Sequence, residues 1–147
     1  MENILTILAK KQSHFNKVSP DASVKDAWGR LQNQYCDHLI VLDDDDNFLG
    51  LITEHEIATR LSFNYQISEE TTVKEIMNTR FPATDAACSI EDCMRLMRRF
   101  NVRYLPIFED LHFLGIISSD DILHQAVLHR TEIFDKEDKP VYLEYAY

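Results

Sequence analysis

The sequence is poor in glycine and proline, with three and four among 147 residues, which argues against a disordered or linker-rich chain. Charged residues interrupt every apolar run, so none approaches the ~20 residues that a transmembrane helix requires. The first apolar stretch has an acid before it and lysines after it, the reverse of a secretory signal peptide. We therefore expect a compact cytoplasmic protein without a membrane partner.

Cysteine and positive charge are also scarce. The three cysteines, Cys36, Cys88 and Cys93, are odd in number and form no Cys-x-x-Cys pair, a pattern that favours reduced thiols over disulfides or zinc. Lysine and arginine total 15 against 25 acids, a formal net charge of -10. Such a surplus of acid repels a nucleic-acid backbone, although a local basic patch can still bind a small anion.

The chain contains an internal repeat, at an offset of 66 residues that becomes 65 after one turn. A helix start, a first apolar run and a second apolar run each occur twice. The matched segments are 23–27 with 89–93, 39–44 with 105–110, and 48–53 with 113–118. The one-residue slip lies between the two apolar runs, where a hairpin turn tolerates an insertion.

Each copy predicts the same secondary structure. Apolar residues at helical spacing predict an amphipathic helix before and after two short apolar runs, and these runs flank an acidic turn as in a β-hairpin. A unit of about 60 residues is too small to bury both faces of its sheet, so two copies should pack through their sheets as a pseudo-twofold pair. The sequence thus predicts an α/β (α+β) fold of two β-α-β-β-α repeats. We divide the chain into a first repeat with an N-terminal helix, a second repeat and a C-terminal tail, over 1–66, 67–129 and 130–147. The second repeat should begin with a short helix over 73–77.

The hairpin of each copy ends in a glycine, two apolar residues, a hydroxyl residue, two polar residues and an acid, over 50–56 and 115–121. One interpretation is a capping box, in which the acid accepts a hydrogen bond from the amide of the hydroxyl residue. The other is a ligand site, in which the helix N-terminus binds phosphate and the carboxylate accepts hydrogen bonds from ribose hydroxyls. A single copy favours the capping box, because such signals are common.

The two copies together resemble the CBS domain, named for cystathionine β-synthase, and the tandem resembles a CBS pair, or Bateman module, over about 15–129. The resemblance implies a regulatory module rather than an enzyme, with no catalytic cofactor. It implies an adenosine-containing ligand, such as AMP, ADP, ATP or S-adenosylmethionine, in the clefts between the copies. It also implies a homodimer that signals to a regulated protein, here unidentified. We expect the pair to stand alone, without an attached catalytic, transporter or DNA-binding domain.

Carried over residue by residue, the resemblance implies that Ser118 contacts phosphate and that Asp121 binds ribose. Thr53 matches Ser118 in the first copy. Glu56 stands where the family usually has Asp, and its extra methylene moves the carboxylate, so the second copy is the better candidate for ribose binding.

The resemblance also implies basic phosphate contacts just before the second strand of a copy. Arg103 and His38 lie nearest that position, and Arg103 is the better match. The family's adenine pocket is built from backbone near the first strand and from apolar side chains, which plain core packing explains equally well. The matching residues are Val18, Ala83, Thr84, Ile40 and Pro106.

Other interpretations stay open or carry less weight. Asp43, Asp45 and Asn47 have calcium-loop spacing, but Phe48 stands where such a loop needs glycine, so we expect a hairpin turn and no metal site. The arginine-rich segment 95–99 is typical of a solvated helix face. The main alternative function is a dimerisation or scaffold module with degenerate clefts. For the sensor, the tail 130–147 is the candidate output segment.

Overall fold

The computed structural model describes residues 3–11, 16–33, 36–62, 67–82 and 84–128. The tail 130–147 and Ala83 lie outside these ranges. The described residues form six helices and two three-stranded sheets, and none of these helices combines the length and the apolar character needed to cross a membrane. The elements are α1 Ile4–Lys10, β1 Lys17–Val18, α2 Val24–Asn33, β2 Leu39–Leu42, β3 Phe48–Ile52, α3 Glu54–Ser62, α4 Val73–Ile76, β4 Thr84–Asp85, α5 Ile90–Phe100, β5 Tyr104–Glu109, β6 His112–Ser118 and α6 Ser119–Leu128.

The two sheets have the same topology. In the first, β1 pairs in parallel with β2, and β2 pairs antiparallel with β3; β4, β5 and β6 repeat this order in the second. Helices α2 and α5 make the crossovers that parallel pairing requires. The predicted β-α-β-β-α repeats and the α/β class are confirmed.

The hairpin turns account for the one-residue slip between the copies. The second turn has only Asp110 and Leu111 between paired strand residues, both with positive φ, 48° and 67°, as a two-residue hairpin turn requires. The first turn is longer and is organised by Asp43, whose carboxylate accepts hydrogen bonds from the amides of Asp45 and Asn47, each at 2.9 Å. The hydrogen bonds from Asn47 and Asp45 hold the pKa of Asp43 below its ordinary value.

Strand side chains alternate between two buried layers, as a pleated sheet dictates. In β2, Leu39 and Val41 face the helices of their own repeat, whereas Ile40 and Leu42 join a cluster between the sheets. Ile116 of β6 enters the same cluster from the second sheet. Each sheet therefore buries one face against its helices and the other against its twin.

Two contacts between the sheets join residues that occupy equivalent positions in the repeats. Phe48 stacks on its counterpart Phe113, with ring centroids 5.0 Å apart, and His38 lies 4.8 Å from its counterpart Tyr104. A residue can touch its own counterpart only at the symmetry axis. The predicted pseudo-twofold pairing through the sheets is thus confirmed, and its axis passes between these two pairs.

Helices α1 and α4 pack across the sequence boundary between the repeats. Ile4 and Ile7 of α1 are 1% and 3% exposed within the core of the second repeat. Val73 of α4, in turn, is fully buried in the core of the first. The predicted division of the sequence into 1–66, 67–129 and 130–147 stays a prediction. In the folded protein, the helix that precedes each repeat along the chain packs against the other repeat.

Residues 77 and 78 pass so close to β3 that only glycine fits at position 50 of that strand. A Cβ atom on Gly50 would lie 2.6 Å from the carbonyl oxygen of Asn78, well inside van der Waals contact. Leu51 and Asn78 exchange both backbone hydrogen bonds, at 2.8 and 3.0 Å. This bridge fixes the segment that leads from α4 into the second repeat.

The three cysteines are free thiols, as the sequence predicted. Cys93 is fully buried in the second core, and burial, with smaller effects from Cys88 and Asp92, raises the pKa of its thiol to about 12. Cys36 is partly buried, and burial raises its pKa as well.

Candidate functional site at the strand-to-helix junctions

The two junctions lie at the same edge of the molecule. Ile52, at the end of β3, pairs with Leu39, and Ser118, at the end of β6, pairs with Tyr104. His38 directly precedes β2 and touches Tyr104 across the pseudo-twofold axis. The residues predicted to bind phosphate and ribose are therefore grouped on either side of this axis.

At both junctions the acid accepts a hydrogen bond from the amide of the hydroxyl residue, as the capping interpretation predicts. The reciprocal bond of a full capping box is present in the second repeat, whereas in the first the Thr53 hydroxyl accepts from the His55 amide at 3.1 Å. In the second repeat, Asp121 Oδ2 accepts a hydrogen bond from the Ser118 amide at 2.8 Å, and Ser118 Oγ accepts one from the Asp121 amide at 3.1 Å. In the first repeat, Glu56 Oε2 accepts hydrogen bonds from the Thr53 amide, at 2.7 Å, and from the Thr53 hydroxyl. A carboxylate has about four acceptor sites, so a cap of this kind still leaves room for other donors.

Asp121 has a further donor that was not expected from the sequence. Lys11, the residue after α1, places its Nζ 2.7 Å from Asp121 Oδ2 and 2.8 Å from the carbonyl oxygen of Ile116. The two charged side chains are 33% and 22% exposed. No local pattern could predict the contact, because it joins positions 110 residues apart.

Arg103 lies against the N-terminus of α6. Its carbonyl oxygen accepts a hydrogen bond from the Ser119 amide at 2.9 Å, and its Nη2 lies 3.9 Å from Asp120 Oδ2. The side chain is largely exposed, so this exposed pair contributes little to stability. The structure thus brings together three of the predicted residues, Arg103, Ser118 and Asp121, at the positive end of a helix dipole.

The position equivalent to Arg103 in the first repeat is held by Asp37. Asp37 Oδ1 lies 2.7 Å from His38 Nδ1. Burial alone would raise the pKa of the Asp37 carboxyl, but hydrogen bonds to His38 and Tyr104 outweigh it and hold the pKa below its ordinary value. Burial and the nearby Asp37 raise the pKa of Tyr104. Aligning the two copies would have revealed this charge reversal from the sequence.

The residues proposed to cradle adenine lie in buried positions. Val18 belongs to the first core, and Ile40 belongs to the cluster between the sheets. Pro106 is buried opposite Ile116. Thr84 is 1% exposed, and its hydroxyl donates to the Pro82 carbonyl at 3.3 Å. Ala83 lies outside the described residues, and ligand contact by this group stays a prediction.

Further polar groups lie on or beside the helices that follow the two junctions. Gln125 lies one helical turn beyond Asp121 and is 4% exposed, yet its Oε1 accepts no hydrogen bond from the described residues. A polar cavity of about 480 Å³ lies beside Glu56, with Arg60 and Arg80 in its lining. Across the described ranges, no three His, Cys, Asp or Glu side chains are grouped so that they could hold a metal ion.

Curated relatives that match most of the chain include a CBS-domain protein and a larger enzyme. The CBS domain-containing protein YhcV of Bacillus subtilis is 28% identical over 105 residues, 71% of this chain and 74% of that protein. The homoserine O-acetyltransferase of Methanobrevibacter ruminantium is 28% identical over 124 residues, 84% of this chain. The chain spans only 24% of that acetyltransferase.

Solved structures share the fold. The crystal structure of the CBS domain NE2398 is 28% identical, with a TM-score of 0.76, and the match covers 86% of this chain and 99% of that one. CBSX2 in complex with AMP is 21% identical, with a TM-score of 0.68 over 81% and 92% of the two chains. The CBS domain pair of MJ0100, in complex with 5-methylthioadenosine and S-adenosyl-L-methionine, is also 21% identical, with a TM-score of 0.70 over 84% and 96%.

A family-level match covers both repeats. The family model of the CBS domain matches two segments, residues 12–62 and 73–127, which together make up more than half of the chain. These segments coincide with the two sheet-and-helix repeats described above. The chain therefore belongs to the CBS domain family, as a pair of CBS domains.

Proposed function

We propose that the junction of the second repeat binds an adenosine-containing ligand and that the protein signals its occupancy to a regulated partner. The observation that carries this proposal is the grouping of Ser118, Asp121 and Arg103 at the N-terminus of α6. AMP, ADP, ATP and S-adenosylmethionine are the candidate ligands.

The chemistry of the junction suits a nucleotide. The positive end of the helix dipole attracts phosphate at the start of α6, and the Arg103 guanidinium matches the geometry of phosphate oxygens. The Asp121 carboxylate is a charged acceptor for the two ribose hydroxyls. Binding is recognition, and the ligand acts by stabilising one conformation over another.

Two further observations support an adenosine-containing ligand. The fold neighbours CBSX2 and the MJ0100 pair carry AMP and adenosyl compounds respectively. In addition, the Asp121 carboxylate and the Arg103 guanidinium lie at the start of the same helix, so one ligand that carries both ribose hydroxyls and phosphate can contact both.

The first junction is the weaker candidate. Asp37 occupies the position of Arg103, so the first copy presents a negative charge where the second presents a positive one. Glu56 also stands where the family usually has Asp, and its extra methylene moves the carboxylate. We therefore assign ligand binding to the second junction and a capping role to Glu56.

We place the protein in the cytoplasm as a homodimer. Large apolar side chains on the outer helices are exposed, as an association surface requires: Trp28 is 44%, Leu61 55%, Leu123 59% and Val127 57% exposed. Size-exclusion chromatography with light scattering measures the assembly state, and a monomer at every concentration would contradict this part of the proposal.

A thermal-shift panel tests ligand binding. AMP, ADP, ATP, S-adenosylmethionine, NAD and GTP are compared on the wild type, Asp121→Asn and Glu56→Gln. Ligand at 100 times its Kd should add about 2.7 kcal/mol to the free energy of unfolding. Asn and Gln keep an oxygen that can accept the capping hydrogen bond but remove the charge, so Asp121→Asn should abolish the shift and Glu56→Gln should retain it.

Three results would contradict the proposal. A shift that survives Asp121→Asn would place the ligand elsewhere, and a shift lost only in Glu56→Gln would place it at the first junction. The absence of any shift with the adenosyl compounds would favour the scaffold function, and the search would then turn to protein partners.

A further inference from the structure

Lys11 contacts the carboxylate on which the proposed function depends. Asp121 Oδ2 already accepts two hydrogen bonds, from Lys11 Nζ at 2.7 Å and from the Ser118 amide at 2.8 Å. A carboxylate oxygen has about two acceptor sites, so these donors saturate Oδ2. Two adjacent ribose hydroxyls can donate to both oxygens of a carboxylate, as bidentate partners do, and Oδ2 becomes available to one of them when a present donor leaves.

Lys11 is the donor that can leave. The Ser118 amide is part of the capping box at the start of α6, and its loss would leave a backbone donor unpaired. The Lys11 ammonium is at the end of a flexible side chain and is about one-third exposed. Water can hydrate this ammonium when it moves away from Asp121, so its release costs less than that of the amide.

The position of Lys11 connects this contact to the N-terminal helix. Lys11 follows α1 directly, and its amide donates to the Ile7 carbonyl at 3.2 Å. Ile7 and Ile4 anchor α1 in the second core. The helix α1 is therefore bound to the second repeat in two ways, through its apolar face and through the ion pair of Lys11 with Asp121.

We propose that Lys11 is an internal competitor for the ribose hydroxyls at Asp121, so that ligand binding displaces its ammonium and loosens the end of α1. This inference rests on the proposed function and adds a regulatory element to it. The apparent Kd of the ligand rises as the fraction of molecules with a free Asp121 falls. Lys11 thus lowers the affinity and links occupancy to the N-terminal segment.

Isothermal titration with adenosine and AMP tests the competition. Adenosine carries the ribose hydroxyls without a charge, so its affinity reports competition alone, whereas AMP would also report attraction between Lys11 and phosphate. Lys11→Met keeps the apolar stem and removes the ammonium. We expect Lys11→Met to bind adenosine about fivefold more tightly than the wild type, as the loss of a partly exposed ion pair allows.

Lys25→Met is the matched control. Lys25 Nζ forms an exposed pair with Glu69 at 3.1 Å on the first repeat, so the same chemical change should leave adenosine binding unaltered. Lys11→Gln serves as a second variant without the ammonium, and circular dichroism verifies that each variant is folded.

Hydrogen exchange provides a readout that does not depend on affinity. In the wild type, saturating ligand should protect the first turn of α6 and increase exchange in α1. In Lys11→Met, α1 should exchange faster before any ligand is added and should show no further increase. A purely structural contribution of Lys11 would not produce a ligand-dependent increase in the wild type.

The outcomes separate this inference from the proposed function. If the wild type binds and Asp121→Asn does not, but both Lys11 variants bind adenosine no more tightly, the competitor role is wrong and the ligand site stands. Weaker AMP binding with unchanged adenosine binding would make Lys11 a phosphate contact instead. If adenosine, AMP and the other adenosyl compounds of the panel all fail to bind the wild type and the Lys11 variants, both proposals are overturned.

Discussion

Positions 37 and 103 carry opposite charges, although the strands that follow them match residue for residue in kind. Asp37 contacts His38, whereas the Arg103 guanidinium is near Asp120 at the start of α6. This charge reversal adds to the exchange of Asp121 for Glu56 in distinguishing two junctions that occupy equivalent positions in the repeats. The Arg103 guanidinium should favour an anion beside it, and the Asp37 carboxylate should repel one at the equivalent position.

The lowered pKa of Asp37 predicts a contribution to stability that depends on pH. Its folded-state pKa lies below the unfolded value of about 3.9, so the contribution is fully present above that value and is lost as pH falls through the folded-state pKa. Asp37→Asn does not titrate. The variant should lose less stability than the wild type between about pH 5 and pH 3, measured by urea unfolding at each pH.

Asp44→Asn is the control for this comparison, since Asp44 is an exposed residue of the first hairpin turn. The control should follow the wild-type curve. Parallel curves for Asp37→Asn and the wild type throughout the acid range would show that the contacts with His38 and Tyr104 do not stabilise the ionised carboxylate.

Single-residue roles were predictable only where the signal was local. The capping contacts follow from residues three positions apart, and the hydrogen bonds of Thr53 with Glu56 and of Ser118 with Asp121 confirm them. Lys11 could not be assigned to Asp121 from sequence, because that contact depends on how α1 packs.

At the scale of the elements, the hairpins and long helices were predictable because their apolar residues recur at fixed spacing. The two-residue strands β1 and β4 are too short to show a period, and their location near Val18 and Thr84 followed only from the family resemblance. The close contact of residues 77–78 with β3 had one signal, the glycine at position 50. Its meaning required the neighbouring backbone, because isolated glycines in strands have several causes.

Gly50→Ala should destabilise the protein by about 1–3 kcal/mol, as overpacking in a buried site does. Its Cβ would overlap the Asn78 carbonyl oxygen, so β3 and the bridging segment would have to separate. Gly29→Ala is the control: Gly29 lies within α2, and a Cβ added there would meet no atom within 4 Å. Alanine at this position should stabilise the protein by about 0.5–1 kcal/mol.

Urea unfolding of both glycine variants gives the two free energies on one scale. Opposite signs are the expected result. A neutral Gly50→Ala would mean that the segment at 77–78 does not lie against β3, and with it the placement of α4 would be wrong.

At the scale of the whole molecule, the pseudo-twofold pairing was predictable from the repeat, but the destination of α1 was not. The spacing of Ile4 and Ile7 indicates an apolar face, and such a face fits either core. The packing of α1 against β6 could not be predicted, because the choice between two similar cores depends on the path of the chain and not on its composition.

Ile7→Ala should lower the free energy of unfolding by about 2–4 kcal/mol, because it removes buried methyl groups from the second core. Leu5, 43% exposed on the other side of α1, supplies the control, and Leu5→Ala should cost about 0.5 kcal/mol or less. Trp28, the single tryptophan, is in the first repeat and reports the unfolding of that repeat by fluorescence.

Because α1, α4 and the sheet contacts join the repeats, we expect one cooperative transition. The Trp28 signal should therefore shift with Ile7→Ala by the same amount as the circular dichroism signal, although Ile7 lies in the other repeat. A Trp28 transition that stays at its wild-type midpoint would show that the two repeats unfold independently.

Because α1 packs in the core of the second repeat and α4 in that of the first, a fragment with only one repeat would lack part of its core. A chain cut between residues 66 and 67 gives two halves, each carrying the helix that completes the core of the other. Each half alone has a gap in its own core and an apolar helix without a binding partner. The two halves should therefore reach the native state by binding to each other as separate polypeptides, and not by folding independently.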